Sequence, residues 1–234
     1  MTLALGSYWW LQLPVTRTRV VPVDRSEVLA SCLPLLAVVI LSQTVAWSSQ
    51  IMLGAWASSA DVAVFNAALR TAMLTSFVLV AVNSIAEPKF AAMYRTQQHD
   101  ALRRTAVNAT RLMVLLALAP LTLMLAFPHL ILLLFGSEFT TGATTLQILA
   151  IGQFLNVATG SVGYLLSMTG HEKLLRNNVF LAAVTALALG FALIPPYGLT
   201  GAAFATASGI ALQNLLCVLQ VRRVLGFNTL AIWR

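Results

Sequence analysis

Long apolar runs constrain this sequence of 234 residues more than any other feature. A helix needs about 20 largely apolar residues to cross the hydrocarbon core of a bilayer. Membrane β-strands would instead show apolar and polar residues alternating in segments of about ten. The sequence therefore predicts an all-α polytopic membrane protein with six transmembrane helices. These are Ala30–Trp56, Val62–Glu87, Ala106–Phe127, Ala143–Met168, Asn177–Ile194 and Leu199–Val221.

The composition supports a membrane protein. Hydrophobic residues make up 59% of the chain and charged residues only 9%. A soluble domain carries about 25% charged residues, so this chain has too few to cover a water-exposed surface. Intrinsic disorder is excluded because it requires low hydrophobicity and many charges.

The basic residues predict the orientation of the six helices. The net charge is +7, which would suggest nucleic-acid binding in a soluble protein. In a membrane protein, Lys and Arg gather in cytoplasmic loops, so we expect no nucleic-acid partner. Three alternate loops, Ala57–Asp61, Pro128–Gly142 and Pro195–Gly198, contain no Lys or Arg, and Arg70 and Arg111 fall within spans. The other basic residues lie on the opposite side, which places both termini in the cytoplasm. They are Arg17, Arg19, Arg25, Lys89, Arg95, Arg103, Arg104, Lys173, Arg176, Arg222, Arg223 and Arg234.

The sequence contains no pattern typical of an enzyme. No Cys/His metal spacing, nucleophile elbow or phosphate-binding loop is present. The two cysteines, Cys32 and Cys217, lie in apolar runs and are expected to pack as small apolar residues. We therefore predict a protein that is not an enzyme and has no metal or cofactor.

Polar residues within the second and third predicted spans are candidates for lining a substrate cavity. Charged groups at the centre of a bilayer are costly, so they usually face a cavity or a partner. In the second span the polar residues share an arc of roughly 140° at 100° per residue. Alternatively, these groups satisfy one another inside the bundle, and Arg111 could extend to the headgroups. The candidate cavity residues are Asn66, Arg70, Asn83, Glu87 and Arg111.

Other polar and small residues are expected to hold helices together. Amides within spans are more often contacts between helices than ligands. Gly201, Ala205 and Gly209 recur at intervals of four and predict the close approach of another helix. The amides are Gln50, Gln147, Gln153, Asn156, Asn178 and Asn214.

Several short strings, taken in order and spacing, resemble the bacterial oligosaccharide flippases of the MATE-like MOP superfamily, the Wzx-like O-antigen exporters. The resemblance extends from about residue 30 to residue 223. The strings are Ile51–Gly54 (IMLG), Phe65–Arg70 (FNAALR), Glu87–Phe90 (EPKF), Leu134–Gly136 (LFG), Leu165–Gly170 (LLSMTG) and Leu193–Ala203 (LIPPYGLTGAA).

The resemblance implies that the chain is the C-terminal lobe of such a transporter in the bacterial inner membrane. Family members have two six-helix lobes around a cavity and are thought to move a lipid-linked sugar by alternating access. Residues 1–29 would then be the end of a preceding span and the cytoplasmic inter-lobe loop, Val15–Glu27. Residues 30–221 would form the lobe and 222–234 a cytoplasmic tail. The implied partners are the bilayer, a lipid-linked oligosaccharide, and either an N-terminal lobe or a second copy.

Three functions follow from these observations. The leading one is a carrier lobe for lipopolysaccharide (O-antigen-like) biosynthesis, in which an intramembrane arginine binds the pyrophosphate of the lipid carrier. A drug/cation antiporter lobe would favour acidic cavity residues, and only Glu87 is available. Family members often carry an acidic residue just before the Met-Leu-Gly string, and in this chain Gln50 stands close to that position. The third possibility is a membrane subunit that does not transport.

The predicted topology can be tested by cysteine accessibility. We expect a cysteine introduced at Ser59 to react with a membrane-impermeant thiol reagent added from the outside. Labelling of that cysteine only from the cytoplasmic side would contradict the topology.

Overall fold

The computed structural model describes residues 25–227 and 229, and within these ranges the chain is all-helical, with no strand. The predicted end of a preceding span and most of the inter-lobe loop lie before residue 25, outside the described residues. Packing divides the chain into two units, residues 1–32 and 33–234. The contacts that hold the described helices together lie within residues 33–234.

Within the described residues, seven α-helices and one 3-10 helix follow one another. They are α1 (Arg25–Trp56), α2 (Ser59–Arg95), α3 (His99–Ala126), α4 (Pro128–Leu133), the 3-10 helix Ser137–Gly142, α5 (Ala143–Ala158), α6 (Val162–Met168) and α7 (Glu172–Leu225).

Four of these helices are long and apolar enough to cross a membrane. They are Leu35–Trp56 of α1, and α2, α3 and α7 over their whole lengths. A fifth crossing results if Ser137–Ala158 and Val162–Met168, which are bent by 43°, count as one broken span. The chain is therefore an all-helical membrane protein, and the number of six spans stays a prediction.

The longest helix, α7, folds back on itself. A straight helix of 54 residues would be about 81 Å long at 1.5 Å per residue. Instead, a Cβ placed on Gly201 would lie 2.2 Å from the Leu193 carbonyl oxygen, and one on Gly209 would lie 2.9 Å from the Ala186 Cβ. Residues 172–197 and 199–225 are therefore the two antiparallel arms of a hairpin.

The local sequence explains the hairpin turn. Gly198 has φ 51° and ψ −122°, a conformation that side chains with a Cβ rarely adopt. The two preceding prolines, Pro195 and Pro196, lack the N–H groups that would continue the helical hydrogen bonds. The turn lies within the predicted loop Pro195–Gly198, between the predicted fifth and sixth spans.

Helix α2 begins with a capping box and is longer than the bilayer is thick. The Ser58 hydroxyl accepts a hydrogen bond from the Asp61 backbone N–H, and the Asp61 carboxylate accepts one from the Ser58 N–H. The helix continues beyond the predicted end at Glu87 and includes Pro88 before it ends at Arg95. Its 37 residues span about 55 Å, so it extends beyond a hydrocarbon core of about 30 Å.

The predicted fourth span, Ala143–Met168, is broken into α5 and α6. The chain leaves the helix at Gly160, which has a left-handed φ of 78°. A Cβ at this glycine would lie 2.1 Å from the Thr110 Oγ1, so helix α3 also packs directly against the break. Apolar periodicity alone did not indicate this break, because the sequence remains apolar on both sides.

We expect Gly201→Ala to destabilise the protein, because its new methyl group would meet the Leu193 backbone, which cannot rotate away. The matched control is Gly54→Ala, whose Cβ would have only the Val62 side chain within 4 Å, at 3.7 Å. A helical alanine there should be neutral or should stabilise by up to about 1 kcal/mol. Thermal unfolding in detergent, followed by size-exclusion chromatography, measures both variants. Equal midpoints would contradict the hairpin geometry.

Candidate functional site

A groove lined by both polar and apolar residues lies among five helical segments of the bundle. It consists of two adjoining cavities of about 440 Å³ and 530 Å³. Both cavities are lined by Leu79 of α2, Asn156 of α5, Tyr164 of α6, and Gln213 and Asn214 of α7. Helix α1 contributes the remaining wall.

The groove combines amides and hydroxyls with apolar side chains, and none of its described lining residues is charged. Its polar residues come from all five helical segments, so no single helix carries the site. The polar lining residues are Ser42, Ser76, Gln153, Asn156, Tyr164, Ser167, Gln213 and Asn214. The apolar walls include Leu35, Val38, Val39, Phe77, Leu79 and Val80.

Asn214 is held in a fixed orientation by its hydrogen bonds. Its amide nitrogen donates to the Asn156 Oδ1 at 3.0 Å and to the Ile210 carbonyl oxygen at 2.9 Å. Its amide oxygen accepts from the Thr159 hydroxyl at 3.2 Å. This buried amide therefore joins α5 to the second arm of α7 and fixes one wall of the groove.

Other polar groups in the groove are left available for a ligand. Gln213 is partly buried and makes no hydrogen bond to another described residue, as is also true of the Tyr164 hydroxyl. Gln153 uses its amide oxygen to accept from the Ser76 hydroxyl at 2.7 Å. Its amide nitrogen makes no bond within the described part of the chain. The groove can therefore donate and accept hydrogen bonds without offering a charge.

The groove extends from the middle of the predicted second span to the start of α7. Met73 and Ser76 line one end and lie near the middle of the predicted second span. Ser167 and Leu175 line the other end, near the start of α7, whose first turn contains Lys173.

The helix break beside the groove is fixed by polar contacts on both sides. Thr159 donates to Asn214 of α7, and the Ser161 hydroxyl donates to the buried Asn83 Oδ1 of α2. The Asn83 amide nitrogen is buried without a hydrogen-bond partner among the described residues. Discontinuous helices of this kind form binding sites in many transporters, because their ends expose backbone groups.

The structure separates the candidate residues predicted on α2. Asn66 is partly buried and donates to the Val62 carbonyl oxygen of its own helix at 3.0 Å. Asn83 is buried against the helix break. Arg70 is exposed and makes no hydrogen bond or ion pair to another described residue. The predicted stripe therefore includes both a buried bundle contact and an exposed cation.

The remaining two candidates lie near the groove or away from it. Glu87 is partly buried and lies close enough to Tyr164 for the two groups to interact electrostatically. Arg111 of α3 is partly buried, has an interaction partner, and does not line either cavity.

The sequence-based selection missed Gln213 and Tyr164. It assigned Asn156, Gln153 and Asn178 to contacts between helices, and all three make them: Asn156 bonds to Asn214 and Gln153 to Ser76. Asn178 and Gln220 exchange two hydrogen bonds of 2.9 and 2.8 Å across the α7 hairpin. The sequence did offer one signal for this site, the pair of adjacent amides Gln213 and Asn214 within an apolar run. Periodicity could not show which of the two lacks a partner.

Among the described residues, no group of three or more His, Cys, Asp or Glu side chains could hold a metal ion. The groove's own chemistry is thus limited to hydrogen bonding, apolar contact and the aromatic faces of Tyr164 and Phe77.

The comparison with known families gives one match. The MatE family model matches residues 34–194, which is more than half of the chain. No curated protein and no solved structure matches.

We expect Asn214→Ala to lower thermal stability and Gln213→Ala to leave it unchanged. The first substitution removes hydrogen bonds to Asn156 and Thr159, each worth about 0.6 kcal/mol on average in membrane proteins. The second removes a neighbouring amide of the same helix that has no described partner. Melting curves of the two variants in one detergent measure the difference. Equal losses would show that Gln213 also supports the fold.

Proposed function

Because the chain belongs to the MatE family, whose members are membrane transporters rather than enzymes, we propose that it forms one lobe of a flippase. In this proposal the lobe helps to move a lipid-linked oligosaccharide from the cytoplasmic to the external leaflet by alternating access. The groove provides amide and hydroxyl groups among apolar walls for the cargo. A second lobe, either an N-terminal lobe or another copy, closes the path.

The proposed lobe has six crossings with both termini in the cytoplasm. The α7 hairpin supports this number, because each arm has about the 20 residues needed to cross the hydrocarbon core. Together with α1, α2, α3 and the broken pair α5 and α6, the two arms would give an even number of crossings. An even number agrees with the distribution of basic residues between the two sides.

The observation that carries the proposed function is the exposed position of Arg70. A guanidinium on a membrane helix without an ion partner is costly in lipid, so it requires a polar cavity or an anion. Arg70 and Phe77 are seven residues apart and thus share one face of α2, about 10 Å apart along its axis. Phe77 lines the groove. An anionic pyrophosphate bound at Arg70 would therefore place its attached sugar toward the groove.

A drug/cation antiporter is the second candidate, and the position of Glu87 favours it. This carboxylate interacts with Tyr164, which lines both cavities. Organic cations also bind to aromatic faces. We rank this function second because Glu87 itself does not line the groove and the described lining contains no acidic residue.

We predict that export activity falls in the order Arg, Lys, Gln, Glu at position 70, with protein levels unchanged. Lysine keeps a point charge but loses the planar donor arrangement of the guanidinium, and glutamate repels the anion. The measurement is complementation of surface polysaccharide export by the lobe joined to its N-terminal partner. The matched control is Arg95→Glu, which makes the same charge change at the exposed end of α2 and should keep export.

Full export by Arg70→Glu at normal abundance would contradict the proposed role of Arg70. Reduced abundance in all three Arg70 variants would instead assign this residue a structural role.

A further inference from the structure

We propose that the groove is the binding site for the uncharged sugar part of the cargo, with Gln213 as a direct ligand. This inference rests on the proposed function and adds which part of the cargo binds at which residues. The diphosphate would lie at Arg70, and the sugar in the groove that begins near Met73.

The chemistry of the groove matches that of a sugar. A sugar ring presents hydroxyl groups, each of which donates and accepts hydrogen bonds, together with apolar C–H faces. Amide side chains offer both donors and acceptors. The groove contains four amides beside apolar walls: Gln153, Asn156, Gln213 and Asn214.

Gln153, Asn156 and Asn214 form hydrogen bonds within the protein, and Gln213 is the one of the four amides that is free at both ends. Asn214 uses both ends of its amide within the protein, so it cannot readily exchange partners. It holds the Asn156 Oδ1, which leaves the Asn156 amide nitrogen available. Gln213 has no partner among the described residues, and its amide atoms are not enclosed. Both ends of the Gln213 amide can therefore bind a diol of the sugar.

The absence of charge from the described groove lining determines the class of cargo that binds most favourably. An ionic group placed there would lose hydration without a counter-charge, which is expensive within a membrane. Neutral hydroxyls lose less on dehydration, and the amides replace their hydrogen bonds to water. The separation of Arg70 from the groove assigns the anionic and neutral parts of the cargo to different places.

The test measures binding to the full chain, purified in detergent, with two fluorescent lipids. One is a polyprenyl diphosphate that carries an oligosaccharide, and the other is the same lipid without the sugar. The main variant is Gln213→Leu, which keeps a similar volume but cannot form hydrogen bonds. The matched control is Leu215→Ala on the same helix, because Leu215 is 52% exposed and does not line the groove.

We expect Gln213→Leu to weaken binding of the sugar-bearing lipid about three- to tenfold, the effect of one or two lost hydrogen bonds, and to leave the sugar-free lipid unchanged. Arg70→Gln should weaken both lipids. Leu215→Ala should weaken neither. Because Gln213 makes no hydrogen bond to another described residue, its variant should also keep the wild-type melting temperature.

A second measurement gives the position of the sugar directly. We expect the photo-reactive residue p-benzoylphenylalanine at position 213 to cross-link to the sugar-bearing lipid, and the same residue at position 215 to cross-link to it at least ten times less. Equal cross-linking of the sugar-bearing and sugar-free lipids at position 213 would overturn the proposal.

The outcomes separate this inference from the proposed function. If Arg70→Gln weakens both lipids while Gln213→Leu affects neither, the sugar-site assignment is wrong and the flippase proposal stands. If wild-type protein binds neither lipid, the flippase proposal itself fails. If the protein binds the cation ethidium at position 213 and binds neither lipid, the antiporter is favoured.

Discussion

The structure depends on one constraint: polar groups surrounded by lipid must find partners within the protein. Helices satisfy the backbone, which explains why the described part of the chain is helical. The side-chain amides and hydroxyls must then bond across helices. Asn178 with Gln220, Asn214 with Asn156 and Thr159, and Ser76 with Gln153 all do so. A polar side chain without such a partner must therefore bind water or a ligand.

Two of the groups without a hydrogen-bond partner among the described residues line the same groove. Gln213 and Tyr164 face the groove, and Arg70 lies on the same face of α2 as the groove residue Phe77. In water, an unpaired glutamine or arginine on a surface would carry little information. Within a bilayer, however, the same groups need water or a ligand, because lipid cannot hydrogen-bond to them.

The broken pair α5 and α6 connects the groove to the rest of the bundle. Asn214 forms part of the groove wall and also accepts from Thr159 at the break, while Ser161 on the other side of Gly160 is bonded to Asn83 of α2. The break therefore puts the groove residues Asn156 and Tyr164 on separate helices, and hydrogen bonds hold both ends of the interruption. Thr110 of α3 packs against the glycine itself and leaves no room for a side chain there.

The sequence by itself determined the membrane setting, the helical class and the position of the α7 turn, because these follow from apolar run length and from Pro-Pro-Tyr-Gly. It also selected Arg70 and Asn83, since a polar residue in an apolar run is visible without coordinates. Only the tertiary structure separated the amides that join helices from the one that is free. It also decided where the fourth predicted span breaks. These properties depend on contacts between residues such as Thr159 and Asn214, which are 55 positions apart, and helical periodicity reports only on the face of a single helix.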